Sequence, residues 1–238
     1  MSVPLVIACV ALAVGGAVVQ TSIGLGFGML TSPILALIDH DFVPGGILVA
    51  VFPMTLYVAI TCARHVDRRG VVLATAGRVP GAVAGALVAA AVSGQSLALA
   101  LGVVVLAAVA LSVRFPHVEP TPRLTPLAGA MSGFMGTATG VGGPPMALLY
   151  QGRDAQTVRA TLAAFFTIGA ALSLGALAAT GDLTAHQVRL GLLLWPGVAA
   201  GIAIAPRVQH HVHGPRFRPV LLAISAASAS ILLLKQLA

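Results

Sequence analysis

Gln20-Thr21-Ser22-Ile23-Gly24-Leu25-Gly26-Phe27-Gly28 interrupts one apolar run, and Thr137-Ala138-Thr139-Gly140-Val141-Gly142-Gly143-Pro144-Pro145 interrupts another. The pattern Thr-x-x-Gly-x-Gly recurs: Thr21, Gly24 and Gly26 match Thr137, Gly140 and Gly142 at an offset of 116 residues. Pro80-Gly81-x-x-x-Gly85 and Pro196-Gly197-x-x-x-Gly201 repeat at the same offset. Two motifs agreeing on one shift divide the chain into halves, 1–114 and 124–238. A linker at 115–123, holding Pro116, Pro120 and Pro122, joins them.

The runs around these breaks are membrane-like. Of 238 residues 58% are apolar, only 8% are charged, and the mean hydropathy is +1.01. A soluble domain carries about 25% charged residues. A chain with so few would expose large apolar patches to water. A lipid bilayer is therefore the first partner implied. A helix crosses the ~30 Å hydrocarbon core in roughly 20 residues. Eight segments approach that length: Val3–Ser22, Phe42–Ala63, Gly70–Val92, Gln95–Val113, Leu124–Thr139, Thr157–Thr180, Gln187–Pro206 and Pro219–Gln236. Gly26–Ile38 and Gly143–Gln151 are too short to cross straight. Ser93-Gly94-Gln95-Ser96 reads as the turn inside the uncharged stretch Val79–Val113. The N-terminal run has no basic segment before it and no convincing cleavage site, so it reads as a retained helix.

The fold expected is all-α and integral to the membrane. It holds eight long helices and two short half-helices, in two repeats of five segments each. Five is odd, and so are the three crossings left if a long–short pair re-enters, so the second repeat inserts upside down. Loop charges agree. Arg64, Arg68 and Arg69 fill a loop whose counterpart, Gly181–His186, holds no Lys or Arg; the next pair reverses, with Arg207, Arg216 and Arg218 against uncharged Ser93–Gly94. With Arg114, Arg123, Arg153 and Arg159, ten basic residues share one face, against Lys235 on the other. Basic loops stay cytoplasmic, which places both termini outside.

Gly and Pro free backbone groups that lipid cannot satisfy, so such breaks belong where protein or a wet cavity surrounds them. A short helix follows each break. Its first N–H groups are unpaired and carry partial positive charge. Two inverted halves would aim two such starts at one centre, which makes an anion-binding place. Thr21, Ser22, Thr137 and Thr139 add hydroxyls. Arg78 lies eight residues beyond Gly70 inside an apolar segment, where a charge faces a cavity or a partner. The candidate anion-binding residues are Gln20, Thr21, Ser22, Gly24, Gly26, Gly28, Arg78, Thr137, Thr139, Gly140, Gly142 and Gly143. Gly81, Gly85, Gly197 and Gly201 read as helix-packing positions.

Other classes fit poorly. The net charge of +7 sits in short loops rather than on a basic face with interleaved aromatics, so nucleic acid is not expected. Cys9 and Cys62 lie inside apolar runs and read as small buried hydrophobes. The six acids, Asp39, Asp41, Asp67, Glu119, Asp154 and Asp182, fall in loops or at segment ends. No carboxylate pair, nucleophile–base pair or metal-ligand set lies within the spans. An enzyme, a metal and a cofactor are therefore not expected. His210-His211-x-His213 reads as part of an unstructured basic loop.

The two breaks also resemble the signatures of the sulfite exporter TauE/SafE family of bacterial membrane proteins. Gly24-Leu25-Gly26-Phe27-Gly28, followed by Pro33, resembles the first, and Gly140-Val141-Gly142-Gly143-Pro144-Pro145 the second. The resemblance spans nearly the whole chain in length and segment order. It implies a multi-pass protein of the bacterial inner membrane that moves sulfite, sulfonates and related small anions. Phe27 stands where the family often has another glycine. The expectation is thus a transporter, in the exporting sense, of a small oxyanion held near the midplane. An anion channel and a non-transporting structural subunit are the alternatives, and a homo-oligomer is compatible with the sequence.

Overall fold

Gly24 ends the first helix because it takes the left-handed backbone that residues with a Cβ avoid (φ 93°), and its N–H closes onto the Gln20 carbonyl. Gly140 ends its counterpart in the same way (φ 73°), with its N–H on the Gly136 carbonyl. Around these stops the computed structural model is all-helical, with no strand among the described residues. The structure describes residues 1–92, 94–114, 119–150 and 152–212, together with 223, 226, 227 and 229–234.

The helices in chain order are α1 (Val3–Ile23), α2 (Phe27–Ile38), α3 (Gly45–Thr61), α4 (Arg68–Ala91), α5 (Gly94–Arg114), α6 (Leu124–Thr139), α7 (Gly143–Tyr150), α8 (Ala155–Thr180), α9 (Ala185–Leu193) and α10 (Trp195–Val212). Among the described residues, five stretches are long and apolar enough to cross a membrane: Val3–Ile23, His40–Thr61, Arg68–Ala91, Ala155–Thr180 and Ala185–Val208.

Several sequence readings shift here. Gln187–Pro206 is a span, within Ala185–Val208, but it is built of two helices. It is interrupted at Leu194, whose N–H bonds within the last turn of α9, and Pro196 has no N–H to offer the Leu192 carbonyl. The break read at Ser93–Ser96 falls between α4, which ends at Ala91, and α5, which begins at Gly94; Ser93 lies outside the described residues. The span Pro219–Gln236, the first half of the linker, His213, Arg216, Arg218 and Lys235 lie wholly or mostly outside the described residues.

Three pairings dominate: α4 with α6, α1 with α10, and α3 with α8. Between lipid-embedded helices the drive to associate is close packing, which small residues permit. A methyl group at Gly85 would lie 2.5 Å from the Phe134 carbonyl oxygen, and one at Gly201 2.7 Å from that of Val14. Gly81 lies against the Ala130 carbonyl and Gly197 against that of Val10. All four are positions of backbone-to-backbone contact.

One polar node ties three helices at their ends. Asp67 caps α4 by accepting from the Gly70 N–H (2.9 Å). Its other carboxylate oxygen accepts from the Tyr150 hydroxyl (2.9 Å), at the end of α7. Its own N–H donates to the Thr161 hydroxyl of α8 (3.0 Å). Tyr150 is fully buried, and only a glycine at position 70 leaves its hydroxyl room.

Candidate functional site

The chain between α1 and α2 turns within three residues, Gly24, Leu25 and Gly26, with both glycines at positive φ. Gln20 holds the turn from inside. Its amide nitrogen donates to the Gly24 carbonyl (3.0 Å), and its side-chain oxygen accepts from the Phe27 N–H (3.0 Å). One side chain thus satisfies an orphan at the end of α1 and another at the start of α2. Replacing Gln20 by Leu strands both groups. The expected cost is about 1–3 kcal/mol of stability, read by thermal or denaturant unfolding in detergent. A variant as stable as the parent would show that the staple is dispensable.

Gly26, Gly28 and Gln20 line a hollow of about 50 Å³, together with Gly140, Gly142 and Gly143 of the second break. The two breaks face each other across it. A methyl group at Gly28 would lie 2.5 Å from the Gly140 carbonyl oxygen. Volume of this order holds a few waters or one small ion.

The main-chain donors are fewer than the sequence alone suggests. Phe27 has already given its N–H to Gln20. At the second break Pro144 and Pro145, in the first turn of α7, have no N–H at all. Among the described residues, the N–H groups of Gly28 and Met29 have no backbone acceptor, and both residues line the hollow.

Arg78 supplies the charge. It sits in α4, is 2% exposed and lines the same hollow. Its guanidinium donates to Ser132 Oγ (3.1 Å) and lies 3.5 Å from Ser173 Oγ. Its cationic carbon lies 4.8 Å from the centre of the Phe165 ring. Among the described residues no carboxylate pairs with it; the ion pairs join His186 to Asp39 and Asp41. Ser132 in turn donates to the Gly142 carbonyl, and Ser173 shares a 2.7 Å hydrogen bond with Thr137. Arg78 is therefore wired to the second break through two serines.

The remaining candidates lie beside the hollow rather than on its wall. Thr139 turns back on the Met135 carbonyl (2.7 Å) and accepts from the Val141 N–H (3.4 Å). Gly24 packs against the backbone of Arg159. Thr21 and Ser22 are buried, and their hydroxyls have no protein partner. The sequence reading missed Ser132, Ser173, Gly136 and Gly169. Ser132 lies four residues before Gly136, whose α-carbon the turn presses on. Gly169 leaves the room that the guanidinium occupies. Membrane serines usually bond back to their own helix, so neither serine stood out.

Asp39, Asp41 and His186 bring their ligand atoms within 4.8 Å of one another. His186 and Asp41 are exposed, Asp39 is half-buried, and none of the three lines the hollow.

A model of the sulfite exporter TauE/SafE family matches residues 7–232. The chain belongs to this family. No curated protein and no solved structure matches it significantly. TauE/SafE proteins are membrane transporters of the sulfite or small-anion exporter type, and the five apolar stretches long enough to span agree with that. Both glycine breaks and Arg78 fall inside the matched TauE/SafE region.

Proposed function

We propose that the protein exports a small oxyanion, sulfite or an organosulfonate, which binds in the hollow between the two glycine breaks. The carrying observation is Arg78, a buried guanidinium at the wall of that hollow with no carboxylate among the described residues to balance it. A buried charge without a partner costs several kcal/mol, and an anion entering the hollow removes that cost. The N–H groups of Gly28 and Met29 complete the cradle, while Ser132 and Ser173 aim the guanidinium. Thr137 acts through Ser173, and Gln20, Gly24, Gly26, Thr139, Gly140, Gly142 and Gly143 shape the turns. Thr21 and Ser22 stand behind the first turn.

The architecture behind this reading is a pair of inverted repeats, 1–114 and 124–238, joined at 115–123. The pairing pattern supports it. A shift of 116 residues carries α1 onto α6 and α4 onto α9–α10, so the α1–α10 pair and the α6–α4 pair are counterparts. The same shift carries α3 onto α8, the pair that would sit on the axis between the halves. The basic loops face the cytoplasm and both termini face outward from the bacterial inner membrane.

Inside-negative potential favours export, by about 2.3 kcal/mol per net negative charge per 100 mV. The span interiors carry no carboxylate that would bind a coupling cation. Efflux of labelled sulfite from proteoliposomes should therefore rise when the interior is made negative. It should also saturate with internal sulfite. Flux indifferent to the imposed potential would defeat electrogenic export.

A further inference from the structure

A second cavity, of about 240 Å³, lies at the far end of α2. Its wall takes Ala36 from α2, Val43 and Pro44 from the entry to α3, and Ala89 from the end of α4. The basic loop with Arg64, Arg68 and Arg69 joins the opposite ends of α3 and α4. The two cavities therefore follow one another along α2 and α3. The central hollow touches Gly28 and Met29 of α2 and Leu48 of α3.

Gly28, Ser32 and Ala36 are four residues apart and so form one stripe on α2. Gly28 opens on the first cavity and Ala36 on the second. Ser32 stands between them, fully buried, with no partner for its hydroxyl. That hydroxyl lies 3.5 Å from where a methyl group at Gly140 would be, so it points at the turn that lines the central hollow. Pro33 removes an N–H from the same turn of α2, which makes this turn the easiest to reshape. The second cavity is lined by two carboxylates, Asp41 and Asp182, beside His40, Thr184 and Gln187. Asp41 lines it, and Asp182 Oδ2 and Gln187 Oε1 are buried without hydrogen-bond partners. With two carboxylates and no Lys or Arg in its lining, this cavity holds an anion less firmly than the Arg78 hollow.

We propose that the oxyanion leaves the central hollow along the Gly28–Ser32–Ala36 stripe, with the Ser32 hydroxyl as relay contact, and is released into this acidic outer cavity. The proposal rests on the anion binding at Arg78, so binding and flux are measured separately on the full chain. Sulfite binding is followed by calorimetry in detergent, and flux of labelled sulfite in proteoliposomes. Ser32→Ala should lower the maximal rate about 5- to 10-fold, the loss of one hydrogen bond in passage, with Kd within about twofold. Ala89→Phe, which fills the roomy outer cavity, should lower the rate about tenfold or more at unchanged Kd. Either variant transporting at the parental rate overturns the route. Loss of sulfite binding in Ser32→Ala also overturns it, because that places Ser32 in the central site. Should Ala89→Phe fail to fold, Asp182→Lys carries the same test. A cation there should retain the anion and slow release about threefold or more, and an unchanged rate overturns the route. Parental protein that binds no sulfite would sink the Arg78 site itself.

Discussion

Arg78→Gln is expected to lose roughly 30- to 150-fold in sulfite affinity, the worth of a charge-assisted hydrogen bond of about 2–3 kcal/mol. Its melting temperature should hold or rise. The two readouts separate because of what surrounds the guanidinium. Two serine hydroxyls and a phenylalanine ring hold it, with no carboxylate among the described residues. Removing a buried charge that lacks a counter-ion relieves a cost to the fold. Had Arg78 been a structural strut, its loss would lower stability and leave transport per folded molecule intact. Arg78→Lys refines the result. Lysine keeps the charge but lacks the planar fork that reaches Ser132 and Ser173 together. It should recover part of the affinity, about tenfold short of the parent. Equal affinity in all three proteins would remove Arg78 from the site.

Gly28→Ala should abolish most transport, with a drop on the order of 100-fold, and destabilise the fold by about 1–3 kcal/mol. The added methyl would lie 2.5 Å from the Gly140 carbonyl oxygen. That atom is main chain in a tight turn, so neither break can yield by turning a side chain. The two breaks must part, and the cradle made by Gly28 and Met29 moves away from Arg78. Gly143→Ala is the contrast. It also lines the hollow, yet its methyl would find nothing closer than Leu25 Cβ at 3.8 Å. It should transport within about twofold of the parent, as surface-like changes without clash usually do. Matching losses in the two variants would show that glycine content, rather than the Gly28–Gly140 approach, governs the site.

The periodicity of Thr-x-x-Gly-x-Gly was enough to locate both helix stops, because a left-handed cap has a residue-type signature. Length and hydropathy located most helices for the same reason: the bilayer sets a minimum span. The interruption at Leu194 was hidden, since a proline in an apolar run is compatible with a continuous helix, as Pro80 in α4 demonstrates. What covers the orphan groups at the breaks was less legible. Gln20 was visible as a candidate donor to the ligand, but its bonds to Gly24 and Phe27 depend on chain folding back over seven residues. Ser132 and Ser173 meet Arg78 only through tertiary contact, at separations of 54 and 95 residues. Spacing in one chain carries no trace of that meeting.

The Asp67 node has a mechanical consequence. Arg78 rides on α4, Gly143 opens α7, and Ser173 belongs to α8; the three helices are pinned to one carboxylate-capped turn. That flank of the hollow behaves as a single block. The opposite flank, α1 and α2, is joined through the Gln20 staple and two glycines, and α1 is held apart from that node by its close packing on α10. Any rearrangement that admits and releases cargo therefore has to carry Arg78, Gly143 and Ser173 together, as beams of one frame.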